Sequence, residues 1–184
     1  MSPIPNVYTL TRKFIPAALI GAAALAVCGL AVAQDKSGLK VPDGLSISEF
    51  AGYEKWEDVA VSETKTSVKA ELGNPVMIKA YRDGVWDNGK TFPDGSKIVK
   101  IEWLKKTNTV SPYFVEVPDT LKSLSFIIKD TKRFPNTHGW AYAQFEYNPA
   151  TKTFKPSTTG FECGYACHTV VASKDYIFTA YPYR

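Results

Sequence analysis

The sequence carries little excess charge and lacks any cluster of basic residues. Its 22 lysines and arginines against 18 acidic residues give a formal net charge of +4. After residue 33 no run of basic residues is longer than two, as in the pair Lys105 and Lys106, and no basic stripe is interleaved with aromatic residues. Such a surface has no electrostatic footprint for nucleic acid, so we expect no nucleic-acid partner.

The sequence also lacks internal repeats and low-complexity stretches after residue 33. Leu, Val, Ile and aromatic residues are plentiful enough for a sizeable core, and the length fits one domain. We therefore expect residues 34–184 to form a single domain.

The N-terminus has one long apolar run without charge. Arg12 and Lys13 precede this run of 19 residues, 15–33, which ends in Ala-Val-Ala. The pattern predicts a cleaved secretory signal peptide at residues 1–33 and a periplasmic protein. Because the run is nearly long enough to span a bilayer, a membrane anchor formed by residues 15–33 is the alternative. Cleavage leaves 20 basic and 18 acidic residues, a net charge of +2.

Cysteine and histidine are scarce, at three and two residues, and Cys28 falls within the predicted signal peptide. The other two cysteines stand close together in the run Cys163-Gly-Tyr-Ala-Cys167-His168. A Cys-x-x-Cys-His motif attaches haem: the thiols bond to the porphyrin vinyl groups and the histidine becomes an axial iron ligand. The spacing here is one residue longer. A Cys163–Cys167 disulfide and an adventitious zinc site are the alternatives.

The longer spacing still keeps the two thiols together on a helix. Since each helical residue advances about 100°, Cys163 falls within about 40° of Cys167, although on the other side from a Cys three residues away. Gly164 can adopt dihedral angles closed to other residues. We therefore consider a bulge at Gly164 that returns the Cys163 thiol to its vinyl group.

Alternating apolar and polar residues predict a mainly antiparallel sheet. The predicted strands are 64–72, 97–103, 112–117, 124–129 and 140–147. Asn74 and Pro75 are typical of a helix N-cap and first residue, and this helix should end near Gly84. Several closely spaced strands with few helices indicate the α+β class, a mainly antiparallel β-sheet with a few packed helices.

Three segments carry a resemblance to a known family. They are Phe92-Pro-Asp-Gly leading to Lys100, the run Lys129 to Phe134 followed by Gly139-Trp140, and residues 169–179 directly after the Cys-His site. Together with that site they resemble the cytochrome P460 family, which includes the cytochromes c′-beta, over about Tyr53 to Tyr183. The resemblance implies a cytochrome P460-like α+β fold, a covalent haem c and, as is usual in the family, a homodimer.

With His168 as the proximal ligand, few side chains remain for the sixth iron position. After residue 33 the only other histidine is His138, in a loop where a surface position is expected, and the only methionine is Met77. A c-type electron carrier of the usual kind needs a His or Met there. We therefore expect an open iron site suited to small ligands.

The resemblance also implies roles for residues around the haem. Lys100 is the candidate for a lysine bonded to a porphyrin meso carbon, a step that burial assists by favouring the neutral amine; a solvent-facing lysine is the alternative. Ser125 stands where a distal glutamate base is expected, and Glu102 is a possible substitute. Lys69 falls where a basic residue often approaches the pocket, and Phe126 is expected in an apolar distal wall.

The expected function is that of an exported mono-haem c-type cytochrome with an open axial site. It oxidises hydroxylamine to nitrogen oxides and passes the electrons to an accepting cytochrome, although an enzymatic role is left open by Ser125. One alternative is a nitric oxide-binding or scavenging protein of the c′-beta kind without turnover. The other is a haem-free relative with a Cys163–Cys167 disulfide.

Overall fold

The computed structural model describes residues 34–184, and the predicted signal peptide with Cys28 lies outside them. Within the described part of the chain no helix is long and apolar enough to cross a membrane. The strands are β1 Glu57–Glu63, β2 Ser67–Gly73, β3 Lys97–Thr107, β4 Glu116–Lys129, β5 Trp140–Asn148 and β6 Thr153–Pro156. The α-helices are α1 Pro75–Arg82 and α2 Phe161–His168, and short 3-10 helices span Pro42–Gly44, Ile47–Phe50, Tyr53–Lys55, Pro135–Thr137 and Thr169–Lys174.

The six strands form one antiparallel sheet in which the strand order is the chain order. Each strand pairs with the one before it, so the backbone groups of the sheet are satisfied by successive antiparallel ladders. Helices α1 and α2 pack against this sheet. The predicted α+β class with a mainly antiparallel sheet is therefore confirmed.

Two features of the sheet differ from the sequence prediction. Segments 112–117 and 124–129 were expected as separate strands, but one long strand, β4, begins at Glu116 and continues to Lys129. Pro118 does not end it, because it pairs with Lys105 where the register between β3 and β4 is already irregular. Strands β1 and β6 were not predicted, since β1 buries only Val59 and β6 has only four residues.

The sheet has one face that is filled by a hydrophobic core. Val99 of β3, Phe126 of β4 and Phe145 of β5 point to this face, and Leu45 and Phe50 of the N-terminal segment cover them. The rings of Phe50 and Phe126 lie 4.4 Å apart between centroids. We call this side the core face; it buries aromatic rings, which contribute large apolar areas to stability.

The opposite face, which we call the cavity face, is covered by α1, α2 and the C-terminal segment 175–184. Helix α1 begins as predicted, because the Asn74 side chain accepts a hydrogen bond from the Met77 N–H at 3.0 Å and Pro75 follows. The Trp86 indole N–H donates to the carbonyl of Ile177 at 2.9 Å, and this bond joins the C-terminal segment to the turn that follows α1.

Candidate functional site

A cavity of about 370 Å³ lies between the cavity face of the sheet and a wall made by α2 with residues 177–179. The sheet contributes residues from β2 to β5, and the opposite wall contributes the Cys-His helix. The principal residues that line the cavity are Glu71, Ile98, Lys100, Ser125, Ile127, Tyr142, Gln144, Cys163, Gly164, Cys167, His168, Phe178 and Thr179. The fold thus brings Lys100 and Ser125 to the same cavity as the Cys-His motif, which is far from them in sequence.

Four polar side chains form a row across neighbouring strands on this face. In the strand register Glu71 is opposite Lys100, Lys100 is opposite Ser125, and Ser125 is opposite Gln144. All four line the cavity. Directly paired residues on one face have Cβ atoms about 5 Å apart, so the row presents a carboxylate, an amine, a hydroxyl and an amide side by side.

Both cysteines of the motif lie on α2 and line the cavity. Cys163 and Cys167 are free thiols with exposed side chains, rather than the disulfide of the haem-free alternative. They stand four residues apart on a continuous helix, so both thiols are presented on one side of it. Among residues 34–184 no group of three or more His, Cys, Asp and Glu side chains is placed to hold a metal ion.

The bulge considered at Gly164 is not present in α2. Helix α2 runs without interruption through Gly164, and this residue has no positive φ. A Cβ at this position would lie 2.5 Å from the Cβ of Tyr142 and 2.6 Å from its Cγ. The glycine therefore serves the close approach of α2 to β5 and not a backbone irregularity.

His168 ends α2 with an imidazole that is oriented from both sides. Its Nδ1 lies 2.6 Å from the carbonyl oxygen of Tyr176, so Nδ1–H donates and Nε2 keeps its lone pair. The rings of Tyr142 and Phe178 lie 4.6 and 4.7 Å from the imidazole between centroids. A histidine whose Nδ1–H is held by a carbonyl is the usual arrangement for a metal ligand that binds through Nε2.

The charge state of His168 also suits a ligand. Burial lowers the pKa of His168 below its ordinary value, while the hydrogen bond to the Tyr176 carbonyl acts in the opposite direction. The nearby charges of Lys100 and Glu71 contribute in opposite senses, the first lowering and the second raising this pKa. The imidazole is therefore favoured in the neutral form that ligation requires.

The two expected rivals for the sixth iron position lie elsewhere. Met77 is fully buried in the packing between α1 and the sheet. His138 is exposed, as expected for its loop, and its Nδ1 lies 2.8 Å from the Tyr165 hydroxyl. Neither residue lines the cavity.

Glu102 and Lys69 share the cavity face but not the cavity. They pair with each other across β2 and β3, two residues along the strands from the pair Glu71 and Lys100. Glu102 accepts hydrogen bonds from Ser67 at 2.7 Å and from Lys122 at 3.0 Å. Burial acts to raise the pKa of Glu102, but these hydrogen bonds and lysine charges hold it below its ordinary value. The structure therefore does not bring Glu102 or Lys69 to the Cys-His site.

Phe126 borders the cavity, but its ring belongs to the core face. The ring packs against Phe50, Tyr53 and Phe145, and the residue is 0% exposed. Since successive residues of a strand point to opposite faces, the neighbours Ser125 and Ile127 are the ones that face the cavity. The apolar side chain of the sheet wall at this position is Ile127 rather than Phe126.

Glu71 is a charged cavity residue that the sequence analysis did not assign to the site. Its carboxylate accepts a hydrogen bond from the Thr179 hydroxyl and another from Ser62 at 3.4 Å. Alternation along β2 puts Glu71 on the same face as Lys69, but only the register with β3 shows that Glu71 is beside Lys100. Because strand register comes from pairing partners, a single strand pattern does not contain this information.

The donor set fits a covalently held haem. Two accessible thiols and a neutral imidazole with a free Nε2 line one wall, and the cavity between the walls is partly apolar. Imidazole is a suitable axial ligand for haem iron, and thiols on one side of a helix next to the cavity can reach a shared macrocycle.

Comparison with known proteins supports the same reading. The family model described as cytochrome P460 matches residues 50–179, which is 130 of the 184 residues and includes every cavity residue named above. A search of curated proteins finds no match.

Proposed function

Because the chain belongs to the cytochrome P460 family and so has a haem cofactor, we propose that it oxidises hydroxylamine to nitrogen oxides at an open axial site. We propose further that the haem is attached covalently, that the protein is exported, and that its electrons go to an accepting cytochrome. The observation that carries the proposal is the cavity itself. His168 lines one wall of it, and neither Met77 nor His138 lines the other.

The attachment is assigned to the Cys-His helix. The thiols of Cys163 and Cys167 are free, exposed and at the cavity, which suits bonds to the two vinyl groups of one porphyrin. When bound, haem supplies an iron that binds the nitrogen of a small ligand and takes up its electrons. His168 would hold that iron through Nε2, and the Tyr176 carbonyl fixes the plane of the imidazole ring.

The polar row on the sheet is assigned to the substrate. Hydroxylamine loses protons from nitrogen and oxygen as it loses electrons, so an acceptor for those protons must lie near the ligand. Ser125 is a poor base at neutral pH, whereas Glu71 presents a carboxylate two places along the same row. We assign proton acceptance to Glu71 and place Lys100, between them, at the porphyrin edge as the candidate for a bond to a meso carbon.

A nitric oxide-binding protein without turnover is the second candidate. It is favoured by Ser125 standing in place of the expected glutamate, and by Thr179, whose hydroxyl already engages Glu71. In that case the open cavity binds nitric oxide and Lys100 stays unmodified. A homodimer is proposed for either function on the basis of the family resemblance alone.

Turnover separates the two candidates. The purified haem-loaded protein is mixed with hydroxylamine and a soluble c-type cytochrome, and reduction of that cytochrome is followed by absorbance. We expect reduction that depends on both components, and a strong loss in Lys100→Ala protein that retains its haem. Haem-loaded wild type that binds nitric oxide but reduces no acceptor would overturn the enzymatic proposal. Mass spectrometry of a peptide spanning residues 93–105 then shows whether Lys100 is bonded to haem.

A further inference from the structure

The chain turns sharply a few residues after His168. Asp175 and Tyr176 have φ values of 48° and 66°, a left-handed conformation that residues other than glycine rarely adopt. They follow the 3-10 helix Thr169–Lys174 and begin the C-terminal segment. Two such residues in succession persist only where the surroundings hold them in place.

A buried ion pair supplies that hold. The Asp175 carboxylate lies 2.9 and 3.0 Å from the Lys129 ammonium and accepts a hydrogen bond from the Phe92 N–H at 2.8 Å. The two charged side chains are 3% and 5% exposed, and the Lys129 ammonium lies over the Trp140 ring at 4.8 Å. Lys129 is the last residue of β4, so the pair ties the turn to the rigid sheet.

The turn determines where one particular carbonyl group lies. The carbonyl that accepts the hydrogen bond from His168 Nδ1–H, at 2.6 Å, belongs to Tyr176, the residue next to Asp175. The path from the sheet to the imidazole is therefore Lys129, Asp175, the Tyr176 carbonyl and His168. Neither charged residue of the pair lines the cavity, and the hydrogen bonds of Asp175 go to Lys129 and Phe92 rather than to His168.

We propose that the buried Lys129–Asp175 pair is a positioning device that holds the Tyr176 carbonyl against His168 and so sets the donor strength of the axial ligand. A carbonyl that holds Nδ1–H increases the basicity of Nε2, and a loosened carbonyl gives a weaker ligand. The measurements on the haem iron rest on the proposed function, whereas the hydrogen bonds that carry this proposal are independent of it.

The test variant removes the ion pair without leaving a buried charge. A single substitution would leave one unpaired buried charge and endanger folding, so the double variant Lys129→Met with Asp175→Asn is used. Asn tolerates the left-handed conformation at position 175 and keeps an oxygen that can accept from the Phe92 N–H. The double variant therefore removes the ion pair between β4 and the turn and keeps the other hydrogen bond of the residue at position 175.

The readouts are the iron–histidine stretching frequency of the ferrous protein and the reduction potential of the iron. We expect the frequency to fall and the potential to rise in the double variant, because a weaker axial donor stabilises the ferric state less. Leu124→Ala is the control: it weakens the core face, has no contact with the turn, and should leave both values as in wild type. Wild-type frequency and potential in the haem-loaded double variant would overturn the proposal.

A haem-free outcome is read differently. If the wild-type chain holds no haem, the proposed function fails, and the positioning role is tested in the haem-free chain by nitrogen NMR of His168. A slowly exchanging Nδ1–H in wild type that exchanges faster in the double variant supports the role. Equal exchange in the two proteins contradicts it.

Discussion

The two faces of the sheet are built by the same strands but serve different purposes: the core face is packed for stability, and the cavity face lines the candidate site. On β4, Phe126 is buried in the core face, while its neighbour Ser125 lines the cavity. On β3, Val99 packs with Phe126 and Lys100 stands beside Ser125. Since alternation gives every strand both kinds of position, one face can be packed for stability while the other keeps polar groups at a cavity. The comparison separates residues that hold the fold from residues that can do chemistry.

The largest effect is expected at the wall opposite the sheet. Replacing Cys167 by Ala should remove nearly all covalently held haem, because Cys167 stands directly beside the axial His168 on α2. Cys163→Ala should retain more haem, since the longer spacing makes its thioether the less secure one. Haem staining after denaturing electrophoresis measures both, with the wild type loaded alongside. Equal staining of Cys167→Ala and wild type would contradict the assignment.

A pair of neighbouring substitutions tests the division between faces. Phe126→Ala leaves a void among packed rings and should lower the free energy of unfolding by about 3–5 kcal/mol. Ser125→Ala, one residue earlier on the cavity face, should change it by less than about 0.5 kcal/mol. Denaturant unfolding of the two proteins gives the comparison. Similar losses from both would show that the cavity face is also a packed core.

The two carboxylates of the cavity face provide a matched pair for activity. Glu71→Gln should lower kcat for hydroxylamine by about 100-fold, the lower end of the usual effect of general base catalysis. Glu102→Gln should leave kcat unchanged, because Glu102 is bound by Ser67 and Lys122 outside the cavity. Steady-state kinetics at saturating hydroxylamine decide. A larger loss from Glu102→Gln would transfer the base to that residue.

The contribution of Glu102 to the free energy of unfolding should depend on pH. Its folded-state pKa is lowered, so it contributes stability above its unfolded pKa of about 4.3, and that contribution is lost as pH falls through the folded pKa. The contribution of the Glu102–Lys122 ion pair should be about 1 kcal/mol or less. Unfolding of wild type and Glu102→Gln should therefore differ at pH 7 and converge at acidic pH. A difference in stability between the two proteins that grows on acidification would contradict a lowered pKa of Glu102 in the folded state.

A further effect on stability is expected at the contact between α2 and the sheet. A methyl group at Gly164 would meet the Tyr142 side chain, and such overpacking costs about 1–3 kcal/mol, partly offset by the better helix propensity of Ala. Gly38→Ala is the control, because nothing lies within 4 Å of the added atom there. Thermal unfolding of both variants tests this. An unchanged Gly164→Ala protein would mean that α2 does not pack on Tyr142 as closely as described.

Much of this division could be predicted from the sequence, because it follows from local patterns. Asn74 with Pro75 marks the start of α1, and alternation along β3 turns Lys100 to the face opposite that of Val99. The family resemblance and the Cys-His motif located one wall of the site. These signals are local, and no pairing partner has to be known to read them.

The remainder depended on information that single segments do not contain. Glu71 could be identified only from the register of β2 with β3, and the role of Gly164 only from the approach of Tyr142. Phe126 was assigned to the distal wall without the alternation that turns its ring to the core face. The link from Lys129 to Asp175 joins residues 46 positions apart, and such a pair arises from tertiary packing.

Mass spectrometry of the denatured wild-type protein, purified from a periplasm with working haem-attachment machinery, tests the central claim most directly. Denaturation releases any haem that is not covalently bound, so the intact mass shows whether the Cys-His helix carries one. We predict the mass of residues 34–184 plus one haem, with the haem retained on the peptide that contains Cys163, Cys167 and His168. A mass equal to the polypeptide alone would contradict the account.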